Sequence, residues 1–285
     1  MGRRTKRRVT NSTRETTTKT DIDFYAHAGQ SNAGGRGDAT QSPDLSPGTA
    51  IEYRNKSASF ADPLDDPVQG GVWNGTWFGA ETGSAWPSFF KDYYAHTERK
   101  ACLVGTAVGG SAEHRDAEYH AGKHWDDGGD LYPMSVNQIH EAMTALETDG
   151  YNPQFRGILW SQGERDATEI TDGNLTKSQY KSAFETMLSK FRTEFRSSLP
   201  FFLFQTGTRK SGDTTGMQRV RAAQDEVVTS DPYTYMVSDK QKDLPYNNDL
   251  HYTQDGYNTM GEVGALNVAR LVHGSTFRAR YGTTA

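Results

Sequence analysis

Five apolar runs divide the chain: residues 22–28, 101–108, 156–160, 201–205 and 233–237. Runs this short and this continuous suit strands buried on both faces of a parallel sheet. Segments with helical signals lie between them. Ser135-Val136-Asn137-Gln138 has the spacing of a capping box and predicts a helix to about residue 146. Thr176-Lys177-Ser178-Gln179 opens another, which puts Tyr180, Phe184, Met187, Leu188, Phe191 and Phe195 on one face at a period near 3.6. Thr215-Gly216-Met217-Gln218 is a third such box, and further helices are expected near residues 86–94 and from about 256 to 272. Strand–helix alternation of this kind predicts an α/β fold, a mostly parallel sheet with helices on both faces. In such folds ligands gather at the carboxyl ends of the strands, where this chain is polar and rich in glycine.

Composition adjusts this picture at one end. Residues 1–20 carry seven Lys and Arg side chains against one acid, Glu15, while the remainder is net −11. The chain therefore divides into a basic, polar arm over residues 1–20 and an acidic body over residues 21–285. An acidic body argues against a nucleic-acid-binding main domain. The arm has no hydrophobic periodicity, and its Arg3-Arg4-Thr5-Lys6-Arg7-Arg8 run suits nucleic acid, a localisation signal or docking on a larger protein assembly, with a solvated disordered tail as the plain reading. Thr10-Asn11-Ser12-Thr13 stands where a secretory signal would be apolar. The expectation is a cytoplasmic protein, or one built into a virion and tethered there by its arm. No run approaches the ~20 apolar residues of a membrane span. The one cysteine, Cys102, sits in an apolar run and reads as a buried small hydrophobe.

Three loops carry candidate chemistry. Ala28-Gly29-Gln30-Ser31-Asn32-Ala33-Gly34-Gly35 follows the first strand, and glycines around a strand-end serine leave its hydroxyl exposed and backbone N–H groups free for an oxyanion. Alone it is equally a turn or a helix cap. Val108-Gly109-Gly110-Ser111 follows the second strand and is either an oxyanion loop or an ordinary turn. Asn248-Asp249-Leu250-His251-Tyr252 brings a histidine, the usual base for a serine, close to a carboxylate.

Taken with Gly157-x-x-Trp160-x-Gln162-Gly163-Glu164-x-Asp166, and in this order, these blocks resemble the SGNH hydrolases, in particular their sialate O-acetylesterase and acetylxylan esterase branch, carbohydrate esterase family 6. The likeness spans about residues 21 to 273. It implies a three-layer α/β/α sandwich of the flavodoxin-like kind and a carbohydrate O-acetylesterase working through an acetyl-Ser31 intermediate without metal or cofactor. The catalytic set it implies is Ser31, His251 and Asp249, with an oxyanion hole of Ser31, Gly110 and Gln162.

One position departs from the common pattern: many SGNH members have an acid three residues before the histidine, where this chain has Asn248, and Asp249 is the expected orienting acid instead. Asp243, Asp239 or a Ser31–His251 dyad are the alternatives. Glu164 and Asp166 read as loop braces more than as glycosidase carboxylates. Arg115, Trp125, Trp160 and Tyr252 are candidate sugar contacts, with core packing or a solvated face as the plain reading. His114, His120 and His124 fit no metal spacing. The competing functions are a carbohydrate-binding module without turnover and an SGNH lipase or thioesterase, and the polar loops at 34–48 and 112–129 disfavour the latter.

Overall fold

A computed structural model describes residues 18–274. The arm therefore lies outside the described residues except at its end, where Lys19 Nζ sits 4.0 Å from Glu147 Oε2. The elements in chain order are β1 (Thr20–Gly29), α1 (Ser31–Gly34), β2 (Ala50–Arg54), β3 (Ser59–Ala61), β4 (Gln69–Trp73), β5 (Thr76–Gly79), α2 (Trp86–Thr97), β6 (Ala101–Gly105), α3 (Leu131–Thr148), β7 (Tyr151–Ser161), α4 (Glu164–Thr171), α5 (Lys177–Glu194), β8 (Phe201–Phe204), α6 (Thr215–Ser230), β9 (Thr234–Ser238) and α7 (Gln254–His273). Seven strands form one sheet in the order β3-β2-β6-β1-β7-β8-β9. All pairs are parallel except β2–β3.

β1 runs through the middle and shows why the apolar runs are continuous. Ile22, Phe24 and Ala26 face one apolar cluster with Val136 and Ile139 of α3 and Phe184 and Met187 of α5. Tyr25 faces the other, with Trp86 and Phe89 of α2 and Met260 and Ala265 of α7. Both faces are covered, so β1 has no wet side from Ile22 to Gly29. The result is the three-layer α/β/α architecture. Cys102 is buried within it, and burial pushes its thiol pKa up, away from the reactive thiolate.

The helix starts differ in instructive ways. Thr176 caps α5 with both halves of the capping box formed. α3 instead begins four residues before Ser135, whose hydroxyl donates to Thr106 Oγ1. At α6 the cap is Thr214, one residue earlier than the sequence pattern suggested. The apolar runs placed five strands. β2, with Glu52 and Arg54 in it, and the glycine-rich hairpin β4–β5 were not anticipated.

Candidate active site

The carboxyl ends of β1 and β7 create the site. Gly29 closes β1 at φ +119°, and a Cβ there would lie 2.0 Å from the Ser161 carbonyl of β7. Only glycine permits that approach, and the chain turns at once into the single turn of α1, which begins with Ser31. His251 reaches the serine from the loop before α7: its Nε2 lies 2.9 Å from Ser31 Oγ. The two share a cavity of about 300 Å³ whose wall includes Gln30, Gly110, Tyr119, Arg165 and Leu250.

Asn32 locks this geometry. Its amide donates to Glu164 Oε1 (2.6 Å) and the Leu250 carbonyl (3.1 Å), and its carbonyl accepts from the Tyr257 hydroxyl (2.8 Å). One side chain thus ties the serine turn to α4, to the histidine loop and to α7. Burial raises the Glu164 pKa, and the Asn32 hydrogen bond opposes that rise. Asp166 braces the neighbouring loop by accepting the backbone N–H groups of Glu113 (2.8 Å) and His114 (2.9 Å). Both carboxylates therefore hold loops, as read from the sequence.

Asp249 does not orient His251. Its carboxylate accepts from the Ser211 N–H and hydroxyl, both at 3.0 Å, and lies 3.1 Å from Arg209 Nε. Burial acts to raise its pKa, but Ser211 and the Arg209 charge outweigh this and hold it below the ordinary value. The group beside the imidazole is Asn248. Its Oδ1 accepts the N–H of Leu250 (3.0 Å) and of His251 itself (2.9 Å), and its Nδ2 sits 3.0 Å from His251 Nδ1. Backbone N–H groups only donate, so the amide oxygen is fixed toward them and the NH₂ faces the ring. Asn248 thereby favours the tautomer with a bare Nδ1 and a proton on Nε2, the nitrogen that meets Ser31. Burial, and then the charge of Arg36, lower the His251 pKa.

The other expected site residues separate. Gly110 lines the cavity at φ +70°. Gln162 is fully buried with its NH₂ 2.6 Å from Asp166 Oδ2, so it braces the interior instead of facing the serine. Gln30 stands on the cavity wall; its Oε1 accepts the N–H of Gly163 (3.2 Å) and Arg165 (3.3 Å), leaving its NH₂ as the uncommitted end. Trp125 and Trp160 are 0% exposed and pack edge to face on each other at 5.0 Å. Tyr252 is 1% exposed between Tyr246 and Tyr257. None of these three can meet a sugar. Arg115 is exposed and engaged with Asp126 and the Asp127 carbonyl, away from the cavity. The aromatic ring at the mouth is Tyr119, 64% exposed, with the Arg165 guanidinium stacked 3.3 Å from its centroid. A lone tyrosine in a polar loop gave no sequence signal. Of the three clustered histidines, His120 stacks on Trp73, His124 lies 3.5 Å from Glu118, and His114 accepts the Asp116 N–H. Among the described residues no helix is long and apolar enough to cross a membrane.

A family model described as carbohydrate esterase, sialic acid-specific acetylesterase, matches residues 21–270. No curated protein sequence matches the chain. Among solved structures, an Arabidopsis thaliana protein superposes with a TM-score of 0.66 at 20% identity, covering 88% of this chain and 99% of that one. NanS gives 0.61 at 13% identity, with coverage of 89% and 98%. A carbohydrate acetylesterase from Xanthomonas citri gives 0.58 at 18% identity over 88% of this chain, which spans 57% of that longer protein. At these identities the structural likeness establishes the shared fold.

Proposed function

The chain belongs to the sialic acid-specific acetylesterase family of carbohydrate esterases, and from that premise we propose that it releases O-acetyl groups from an acidic sugar through an acetyl-Ser31 intermediate. The observation that carries the assignment is the 2.9 Å contact between His251 Nε2 and Ser31 Oγ inside a cavity. Ser31 Oγ attacks the acetyl carbonyl while its proton passes to Nε2. The tetrahedral oxyanion takes donors from the Ser31 and Gly110 backbone and from the Gln30 amide, in the place expected of Gln162. The proton then moves from Nε2 to the leaving sugar oxygen. Water attacks the acetyl-enzyme, His251 takes its proton, acetate departs and Ser31 is restored. Tyr119, backed by Arg165, offers its ring to the sugar face, and Arg36, Arg165 and Arg209, each already paired with a carboxylate (Glu81, Glu169 and Asp249), supply guanidinium N–H donors along the wall.

The first step needs the Nε2 lone pair toward Ser31, and Asn248 favours the opposite tautomer. Turning the amide over would set Nδ2 against two backbone donors, forfeiting hydrogen bonds worth about 0.5–1.5 kcal/mol each. The reaction therefore runs through a disfavoured arrangement, and the enzyme is slow for its geometry. The same feature favours the second reading, a carbohydrate-binding module on an esterase fold. Assaying p-nitrophenyl acetate and O-acetylated sialic acid with wild type, Ser31→Ala and His251→Ala separates them. Slow turnover that drops at least about 10³-fold in both variants supports the esterase. Sugar binding by a folded protein with no turnover supports the module.

The basic arm is proposed to dock on an acidic surface of a larger assembly such as a virion, motivated by its charge against the acidic body. Deletion of residues 1–20 should abolish co-sedimentation with that assembly while leaving p-nitrophenyl acetate turnover in place. Unchanged co-sedimentation would remove the idea.

A further inference from the structure

A second cavity of about 480 Å³ shares Arg36 with the catalytic one. Its wall is built by Trp77 and Phe78 of the β4–β5 hairpin, by Arg54 and Lys56 at the end of β2, and by Glu81. The two cavities are neighbours by construction. Arg36 Nη1 donates to the Gly79 carbonyl of β5 (2.9 Å), and a Cβ on Gly34, in the serine turn, would lie 3.1 Å from that same oxygen. A Cβ on Gly109, next to the cavity-lining Gly110, would lie 2.7 Å from Arg36 Nη2 and 3.7 Å from the Phe78 ring.

Trp77 is the unusual residue. Trp73, Trp86 and Trp125 each give their indole N–H to a protein acceptor, and Trp160, whose N–H also lacks an acceptor, is wholly buried and open to no ligand. Trp77 is half-buried. Among the described residues it joins none of the three apolar clusters, stacks on no other ring and finds no acceptor for its N–H. An amphipathic ring left with one polar tip and an open face is what ligand surfaces use. The charges beside it are also unequal. Arg54 is held by Glu52 (2.7 Å) and Asp65 (2.9 Å), and Arg36 by Glu81 (3.1 Å), whereas Lys56 is exposed and has no carboxylate partner among the described residues.

We propose that this groove is a second sugar subsite, which holds the acidic sugar adjoining the acetylated one, so that the enzyme acts on an oligosaccharide chain in preference to a single sugar. Trp77 stacks on the ring of the adjoining unit and Lys56 meets its carboxylate. The proposal rests on the esterase reading for the position of the acetylated unit.

The test compares O-acetylated sialic acid with O-acetylated oligosialic acid of about two to four units. Wild type is expected to show a kcat/KM about tenfold higher on the oligomer, carried by KM. Trp77→Ala brings the two substrates to parity, Trp77→Phe keeps part of the preference, and Lys56→Ala reduces it and removes its salt dependence. p-Nitrophenyl acetate, too small to reach the groove, reports on folding and is expected within about twofold of wild type in all three. Titration calorimetry of unacetylated oligosialic acid into Ser31→Ala, with and without Trp77→Ala, measures the groove without turnover. Equal kcat/KM on monomer and oligomer, or oligomer binding indifferent to Trp77, overturns the subsite and leaves the esterase standing. Absence of Ser31-dependent turnover on every substrate overturns the esterase reading, and the calorimetry then decides the groove alone.

Discussion

Two asparagines flank the Ser31–His251 contact and do opposite things. Asn32 spends every polar atom on the scaffold: Glu164, Leu250 and Tyr257 fix the serine turn from three directions. Asn248 is equally well bonded, by Leu250 and His251, yet its one remaining group is an NH₂ aimed at the imidazole. On the serine side an amide is a neutral brace and costs the chemistry nothing. On the histidine side the same amide selects the proton position opposite to the one the proposed mechanism needs. A full set of hydrogen bonds shows that a loop is well built; which end of the amide faces the reacting group decides whether it is well built for catalysis.

Replacing Asn248 by Asp sharpens this contrast most. An Asp at this position keeps the Leu250 and His251 N–H bonds and offers Nδ1 an acceptor, which sets the productive tautomer. The reverse change in a serine protease triad costs about 10⁴ in kcat, so Asn248→Asp is expected to raise kcat on p-nitrophenyl acetate by about 10²–10⁴-fold. A variant no faster than wild type would show that Asn248 is not what limits the base.

The pH profile gives the next effect. His251 acts as a base only when neutral, and burial together with Arg36 lowers its pKa. The acid limb of kcat/KM in wild type should therefore have its midpoint below the ordinary histidine value of about 6.5. Adding a carboxylate in Asn248→Asp stabilises the imidazolium, so the limb should move to higher pH. Identical limbs in the two proteins would contradict the contact.

Asp249 offers a smaller test of the same comparison. Its bonds to Ser211 and Arg209 hold a loop, so Asp249→Ala should lower kcat by less than about tenfold; a loss of about 10³-fold or more would restore it as the orienting acid. The smallest effect expected is on stability. Glu113 is fully buried beside Asp166 with neither carboxylate oxygen hydrogen-bonded, and burial, then the Asp166 charge, push its pKa well up. It binds a proton in the fold that the unfolded chain releases above about pH 4.5, so it costs stability increasingly as pH rises. Glu113→Gln should raise Tm at pH 8 and leave it unchanged near pH 4; a fixed difference at both would contradict the burial argument.

How far the sequence shows this molecule follows from burial. Strands covered on both faces announce themselves as apolar runs, and β1, β6, β7, β8 and β9 do so. β2 carries Glu52 and Arg54, and β4–β5 is rich in glycine, so neither reads as a strand by hydrophobicity. The available signal for the hairpin was Asn74-Gly75 between Trp73 and Thr76, and both residues take positive φ, +47° and +74°. That Ser31 and His251 come together was legible, because block order constrains them. The choice between Asn248 and Asp249 was not, since a one-residue difference in a loop decides which side chain meets the ring. Nor does residue type reveal exposure: Trp125 and Trp160 belong to the core, while Tyr119 and Trp77 stand at the cavities.

The most direct test of the account is the site of acetylation. Mixing the enzyme with p-nitrophenyl acetate, quenching in acid during turnover and mapping peptides by mass spectrometry should find an acetyl group on Ser31, absent from Ser31→Ala. Acetylation confined to another residue, or full turnover in Ser31→Ala, would contradict it.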